Sequence, residues 1–568
     1  MAENQEIPKD TREDTLSSPL SPLDNENSSE EKNVDIDGDK ELSHSPALAG
    51  WRLRLLTIGL CLCVFLSALD ITIVSTSLTS ISNDLRAFNE NSWVVSSYLT
   101  SYFSFLIIWA KMSDFFGRKL MLVAAVVLFL AFSGGCGGAH TPIQLILCRA
   151  FQGVGGAGIF SMVPIIVAEM VEPAKYGAYN AIISLAIAFS FLLGPLFGGA
   201  ISDGTTWRWI FYINLPVGFV GLVLVLVAMP AGFPDPSAVA SPATFTLIKR
   251  NVTLRGRIDY PGFFMLLAAS VLLIVAIEEA GISFAWSSGL VIAFLVVAVG
   301  LFIAFLAWQW YLDYTKSARE PVFPWAFIKK RVLMGIYLSV LARLNALLSG
   351  VPFVTLVLEL PLRFESINGR SALNSGICIL PLTLTIAFGS ALTGGLTAQG
   401  RVPPIMVLLI ATILQILGMG LLYSVPVTTD LPARIYGYQI LAGLGTGLSL
   451  TTLLNIVPFV VERRVLAVAL GGVTQLRILG GAVGVSIATN LLNNTAKNEL
   501  ATRLPASALA DILRDVSSVF KLSTVDQSIV HTAFGKGYHQ QLAMMLGFCA
   551  AEVIALALMW EWPVRRLA

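Results

Sequence analysis

Apolar runs of about twenty residues recur along nearly the whole of this 568-residue chain, and each is long enough to cross a hydrocarbon layer about 30 Å thick as a helix. A water-soluble fold could not bury so many of them, because 55% of the residues are hydrophobic and only 13% are charged, against roughly 25% charged in a soluble domain. The bilayer is therefore the solvent. Breaking the runs at Gly, Pro and charged clusters predicts fourteen spans, near 52–80, 93–112, 120–139, 142–170, 176–201, 207–229, 261–281, 287–311, 332–358, 375–398, 403–424, 433–458, 466–491 and 540–561.

Lys and Arg near helix ends are retained on the cytoplasmic side. Here they follow the even-numbered spans, as in Lys111, Arg118 and Lys119 after the second, Lys249 and Arg250 after the sixth, and Arg463 and Arg464 after the twelfth. The loops after the third and seventh spans carry none, so both termini are expected in the cytoplasm. The segment 492–539 holds five Lys or Arg, Lys497, Arg503, Arg514, Lys521 and Lys536, yet is assigned as a long extracellular loop, a class that obeys the charge rule poorly.

Residues 1–50 hold thirteen Asp or Glu against four Lys or Arg and almost no core-forming side chains. They are expected to be a disordered acidic cytoplasmic tail. The domain reading is then a six-helix bundle at 51–229, a cytoplasmic linker at 230–260, two additional helices at 261–311, a cytoplasmic loop at 312–331, and a second six-helix bundle at 332–568.

A formal net charge of +1 gives no basic excess for nucleic acid. No G-x-x-x-x-G-K-[ST] loop is present for a nucleotide, so active transport would draw on a gradient. There is no H-E-x-x-H and no G-x-S-x-G elbow, and the six cysteines all fall inside apolar runs. An enzyme is not expected, and neither is a metal or a cofactor.

Between the second and third spans the chain reads Ala110-Lys-Met-Ser-Asp114-Phe-Phe-Gly117-Arg118-Lys119. This resembles the G-x-L-x-D-R-x-G-R-[RK] signature of the major facilitator superfamily, with Ala110 in place of the first Gly and Phe115 in place of the first Arg. Such a turn sets an Asp beside a helix N-terminus and cations, a charge latch that forms in one conformation and opens in another. Arg149-Ala-Phe-Gln152-Gly153 in the fourth span resembles the R-x-x-Q-G motif of the same superfamily. Gly194-Pro195-Leu-Phe-Gly198-Gly199 in the fifth resembles the G-P-x-x-G-G motif of its drug-antiporter branch. Leu69-Asp70-Ile71-Thr72-Ile73-Val74 is similar to the L-D-x-T-I-V of fourteen-span drug:proton antiporters, and Arg477-Ile-Leu-Gly480-Gly481 fits their later half.

The resemblance, which runs from about residue 51 to about 491, implies an all-α major facilitator fold of two six-helix bundles plus two inserted helices. It implies a monomeric multidrug or toxin exporter that exchanges a small molecule for protons by alternating access, in the plasma membrane or alternatively the vacuolar membrane. A proton-coupled uptake permease would share the fold, and the direction of flux separates it. A transport-inactive sensor would bind ligand without flux.

Ionisable groups inside a membrane are functional candidates by default, and the short list is Asp70, Arg149, Arg343 and Arg477. Counted along helices of opposite direction, Asp70 and Arg149 fall at similar depth and could pair. Asp70 is the proton-carrying candidate and Arg149 its partner. Arg343 and Arg477 lie near mid-depth in two later spans, with no acidic residue of that half evident at their level. Together with Gln152, Asn345 and Gln475 they are the expected polar lining of the substrate cavity. Two cavity arginines would favour an anionic or oxygen-rich solute. Glu278 and Glu279, at the outer end of the seventh span, are expected to be solvated.

Overall fold

The structure, a computed structural model, describes residues 48–559 apart from 86–90, 232, 234–256, 281–283, 316–318, 323–332, 371, 398–401, 429, 462–465, 502 and 506–522. The acidic tail lies outside the described residues up to residue 47, as does most of the 230–260 linker.

The first half comprises α1 (Gly50–Leu85), α2 (Asn91–Phe116), α3 (Arg118–Gly137), α4 (Pro142–Met170), α5 (Pro173–Gly204), the single turn α6 (Trp209–Tyr212) and α7 (Asn214–Ala228). An inserted hairpin follows, α8 (Tyr260–Glu279) and α9 (Gly289–Tyr314). The second half holds α10 (Leu333–Ser366), α11 (Ala372–Cys378), α12 (Leu380–Thr397), α13 (Pro404–Tyr423), α14 (Arg434–Val460), α15 (Leu466–Leu500) and α16 (Thr524–Leu558). Among the described residues, fourteen helical stretches are long and apolar enough to cross a bilayer. The chain is thus an integral membrane protein of the expected span number.

Local chemistry sets several helix starts. Thr141 caps α4, its hydroxyl accepting from the Gln144 amide at 3.3 Å, with Pro142 in the first turn where a missing N–H does no harm. Asp259 caps α8 through the Gly262 amide and also accepts from Trp308 Nε1 and Gln309 Nε2 of α9, each at 2.8 Å. One buried carboxylate thereby closes the inserted hairpin. Glu320 anchors the hairpin to α2 by ion pairs with Lys111, at 3.6 Å, and Arg257. Large apolar side chains such as Ile143, Phe264, Phe388 and Ile554, each more than 60% exposed, face the lipid, where exposure is favourable.

Two sequence expectations need correction. The supposed loop at 492–539 is helical at both ends, since α15 runs on to Leu500 and α16 begins at Thr524. Leu492, Ala496 and Leu500 form a stripe at four-residue spacing that packs on Val530, Phe534 and Tyr538, spaced likewise. Lys497 and Lys536 lower the mean hydropathy there without disturbing the buried face. Glu279, expected in water, is buried, because Ser486 and Asn490 of α15 bond to the carbonyls of Ile277 and Ala280 and cover the end of α8. The side chain of Glu278 lies outside the described residues.

Candidate transport site

Asp70 of α1 is completely buried, and three amide or guanidinium donors converge on it from two other helices. Arg149 of α4 donates through Nη1 to Oδ2. Gln152 Nε2, one turn along α4, donates to Oδ1 at 3.0 Å, and Asn214 Nδ2 of α7 donates to Oδ1 at 3.2 Å. Ser133 of α3 accepts from Gln152 at 2.8 Å and from Asn214 at 3.4 Å, so four helices share one polar knot. Asn214 is buried at the start of α7, where the backbone stays helical through Ile213.

Arg149 is held from the other side as well. Its Nε donates to the Val94 carbonyl at 3.2 Å, its Nη1 also donates to Gln152 Oε1 at 2.8 Å, and its guanidinium lies 4.1 Å from the Tyr98 ring centroid. A desolvated cation over an aromatic face gains up to about 2 kcal/mol. Tyr98 stacks in turn on Tyr102, with centroids 5.6 Å apart, and Tyr102 lines the central cavity.

At one end of the bundle, Gly117 turns the chain between α2 and α3 at φ 90°, a left-handed conformation that favours glycine. This turn delivers Arg118 to two carboxylates. Nη1 donates to Asp114 Oδ1 at 2.7 Å, while Nε and Nη2 grip Glu169 of α4 at 3.0 and 2.8 Å. Asp114, Gly117 and Arg118 thus come together in one ion-paired turn, and Glu169 is the member that sequence reasoning missed. Nothing near Glu169 in sequence signals its partner. The replacement Ala110 sits against Gly471 of α15, where two small residues let the halves approach.

Gly194 lies against Thr72, so closely that an added Cβ would sit 1.9 Å from the threonine hydroxyl. The Gly198 carbonyl accepts from Ser77 Oγ at 3.1 Å. The G-P-x-x-G-G segment is therefore the contact face of α5 on α1. Gly199 is half-buried in α5, and the ring of Pro195 lies outside the described side chains.

A cavity of about 260 Å³ lies between the halves, lined by α1, α2, α4, α5, α10, α14 and α15. At the latch end the halves meet below it: Ala110 and Ile165 pack with Leu453, Ile456 and Leu470, and Asn180 donates to Asn455 at 3.1 Å. The lining is mainly aliphatic and aromatic. Among the described residues Arg477 is its one charged side chain, with Nη1 donating to the Leu450 carbonyl at 3.1 Å and Nη2 buried without a partner.

The remaining cavity expectations divide. Gln152 belongs to the Asp70 knot and does not line the cavity. Gln475 donates to the Phe103 carbonyl at 3.2 Å and faces a separate apolar pocket of about 460 Å³ between α2, α15 and the inserted hairpin. Asn345 is buried away from the cavity lining, and neither side-chain atom has a partner. These three were misplaced because depth along a helix can be counted from sequence, whereas the facing direction of one polar group in an apolar helix cannot. The side chain of Arg343 lies outside the described residues. The second half does hold buried acids: Glu552 of α16, whose Oε2 lies 3.2 Å from Thr412 Oγ1, and Glu359 of α10, which accepts from Gln541 at 3.1 Å.

The sequence profile of the Major Facilitator Superfamily matches residues 60–485. The MFS-type transporter FPY5 of Fusarium mangiferae is 41% identical over 91% of this chain and 85% of its own length. The MFS thioclapurine efflux transporter tcpA of Claviceps purpurea is 30% identical over 90% of this chain and 91% of its own length. Among solved structures, the human organic anion transporter MFSD10 matches with a TM-score of 0.56 at 14% identity, over 89% of this chain and all of that one. The proton:xylose symporter XylE matches at 0.54 and 13%, over 90% of this chain and 96% of that one. At such identities these two structures speak to the fold alone. With that fold, with profile coverage of most of the membrane region and with relatives among fungal efflux-type transporters, the chain belongs to the major facilitator superfamily.

Proposed function

We propose that the protein exports a small organic compound, such as a drug, toxin or secondary metabolite, in exchange for protons by alternating access. The observation that carries this reading is the Asp70–Arg149 pair, sealed from water and set one aromatic layer behind the cavity wall. A proton reaching Asp70 would cancel the charge that Arg149, Gln152 and Asn214 organise around, and the helices bearing them would then be free to rearrange. Gln152 holds the carboxylate in place, and Gln475 ties α15 to α2.

With the Lys- and Arg-rich loops on the cytoplasmic side, the latch faces the cytoplasm. Both termini are then cytoplasmic and the protein acts as a monomer in the plasma membrane. Relatives named as efflux transporters favour export over uptake. The unpartnered Nη2 of Arg477 favours a cargo with an anionic or oxygen-rich group on an otherwise apolar frame.

The test is an untargeted comparison of compounds retained by cells with and without the protein, followed by counterflow of the strongest hit in liposomes containing the purified chain. Lower retention in expressing cells and counterflow of that compound are expected. Equal retention together with an absence of counterflow would contradict the reading.

A further inference from the structure

The second half of the molecule contains a carboxyl group that the Asp70 knot does not involve. Glu552 is completely buried in α16, within the span Asp526–Leu558. Its Oε2 lies at hydrogen-bond distance, 3.2 Å, from Thr412 Oγ1 of α13, and its Oε1 has no partner. Among the described residues it forms no ion pair, in contrast to Asp70.

Its surroundings are accounted for from each element packed on α16. From α15 comes Arg477, which bonds the Leu450 carbonyl and has Nη2 unpartnered. From α13 come Thr412 and Gln415, neither of them titratable. From α10, Glu359 and Arg363 lie toward the other end of α16, where Glu359 bonds Gln541 and Arg363 is near Tyr538. On α16 itself, Cys549 bonds Gln415 at 3.8 Å. A bare carboxylate in such a place is strongly disfavoured, whereas a carboxylic acid can donate its Oε2–H to Thr412 Oγ1, whose own hydroxyl hydrogen goes to the Leu408 carbonyl at 3.0 Å.

We propose that Glu552 is a second proton-binding site, carrying its proton in the conformation described here, and that Arg477 is the counterion it meets on releasing that proton. The unpaired acid on α16 and the unpaired guanidinium nitrogen on α15 are two halves of an ion pair that this state leaves unmade. Transfer is balanced: the proton leaves the carboxyl oxygen to water, and the carboxylate that remains is neutralised by Arg477 turning away from Leu450. The inference rests on the proton-coupled reading but is tested apart from it, because protonation of Glu552 is read without any cargo.

Two measurements suffice. Infrared spectra of the purified protein in lipid should show a neutral-carboxyl band that Glu552→Gln removes and Glu359→Gln does not. In the wild-type protein, labelling with dicyclohexylcarbodiimide, which reacts with protonated carboxyls in apolar surroundings, should mark the peptide bearing Glu552 by mass spectrometry, with the yield falling at least several-fold as pH is raised. This second measurement requires no variant and stands even if Glu552→Gln fails to fold. An unchanged carboxyl band in Glu552→Gln, or label on other acids with none on Glu552 at any pH, would overturn the proposal. Proton-coupled flux with either of those results would sink this inference and leave the transport reading intact.

Discussion

Arg149 and Asp70 stand 79 positions apart in the chain, yet they meet side chain to side chain with no more than 1% of either exposed. A pair so placed is an unfavourable way to gain stability, because desolvating two ions offsets most of their attraction. Losing one partner is worse. Arg149→Ala should therefore lower the unfolding free energy by about 3–5 kcal/mol, read as a fall in thermal midpoint in detergent. The double variant with Asp70→Asn should recover part of that loss, since neither charge is then left alone. Additive losses would contradict the pairing.

The latch predicts a change in accessibility. Arg118 joins Asp114 and Glu169 at the end where the halves meet. Arg118→Ala should loosen that end and expose the cavity to it. A cysteine placed at Ser184, which lines the cavity, should then react with a membrane-impermeant thiol reagent from the cytoplasmic side several-fold faster than in the parent. Glu169→Gln should give the same sign with a smaller effect.

The approach of α5 to α1 leaves no room at Gly194. Gly194→Ala would drive a methyl group into Thr72, and overpacking of this kind typically costs about 1–3 kcal/mol. Combining it with Thr72→Ala should return part of the loss, because the hydroxyl is the nearest clashing atom. Midpoints of thermal unfolding for the two single variants and the double variant check this.

Arg477 is expected to set the cargo's charge preference. For matched anionic and cationic analogues of one scaffold, the wild-type protein should bind the anion more tightly. Arg477→Gln should weaken that binding by about 1.5–3 kcal/mol, the worth of a hydrogen bond to a charged group, and leave the cation almost unaffected. Equal binding of the two analogues by the wild type would contradict the assignment.

Much of this architecture was legible in the chain itself. Twenty-residue apolar runs define crossings whatever packs around them, so the fourteen spans and their order were readable from hydropathy. The Asp70–Arg149 encounter was readable from depth, because rise per residue is constant along a helix. Facing direction was not. Gln475 and Arg477 are two residues apart on α15 and point into different spaces, one toward the inserted hairpin and one into the central cavity. Glu552 was overlooked because its neighbours Thr412 and Arg477 come from distant helices. The helical ends of the 492–539 segment escaped because their apolar stripe is narrow and their average polarity high.

The central claim is that Asp70 carries the proton that drives transport. Liposomes containing equal amounts of purified wild-type or Asp70→Asn protein, loaded with a pH-sensitive dye and offered the cargo identified by the cell comparison, report it directly. The account predicts cargo-dependent proton movement with the wild type and none with Asp70→Asn, while cargo counterflow, which needs no net proton transfer, persists in both. Undiminished cargo-driven proton movement in Asp70→Asn would contradict it.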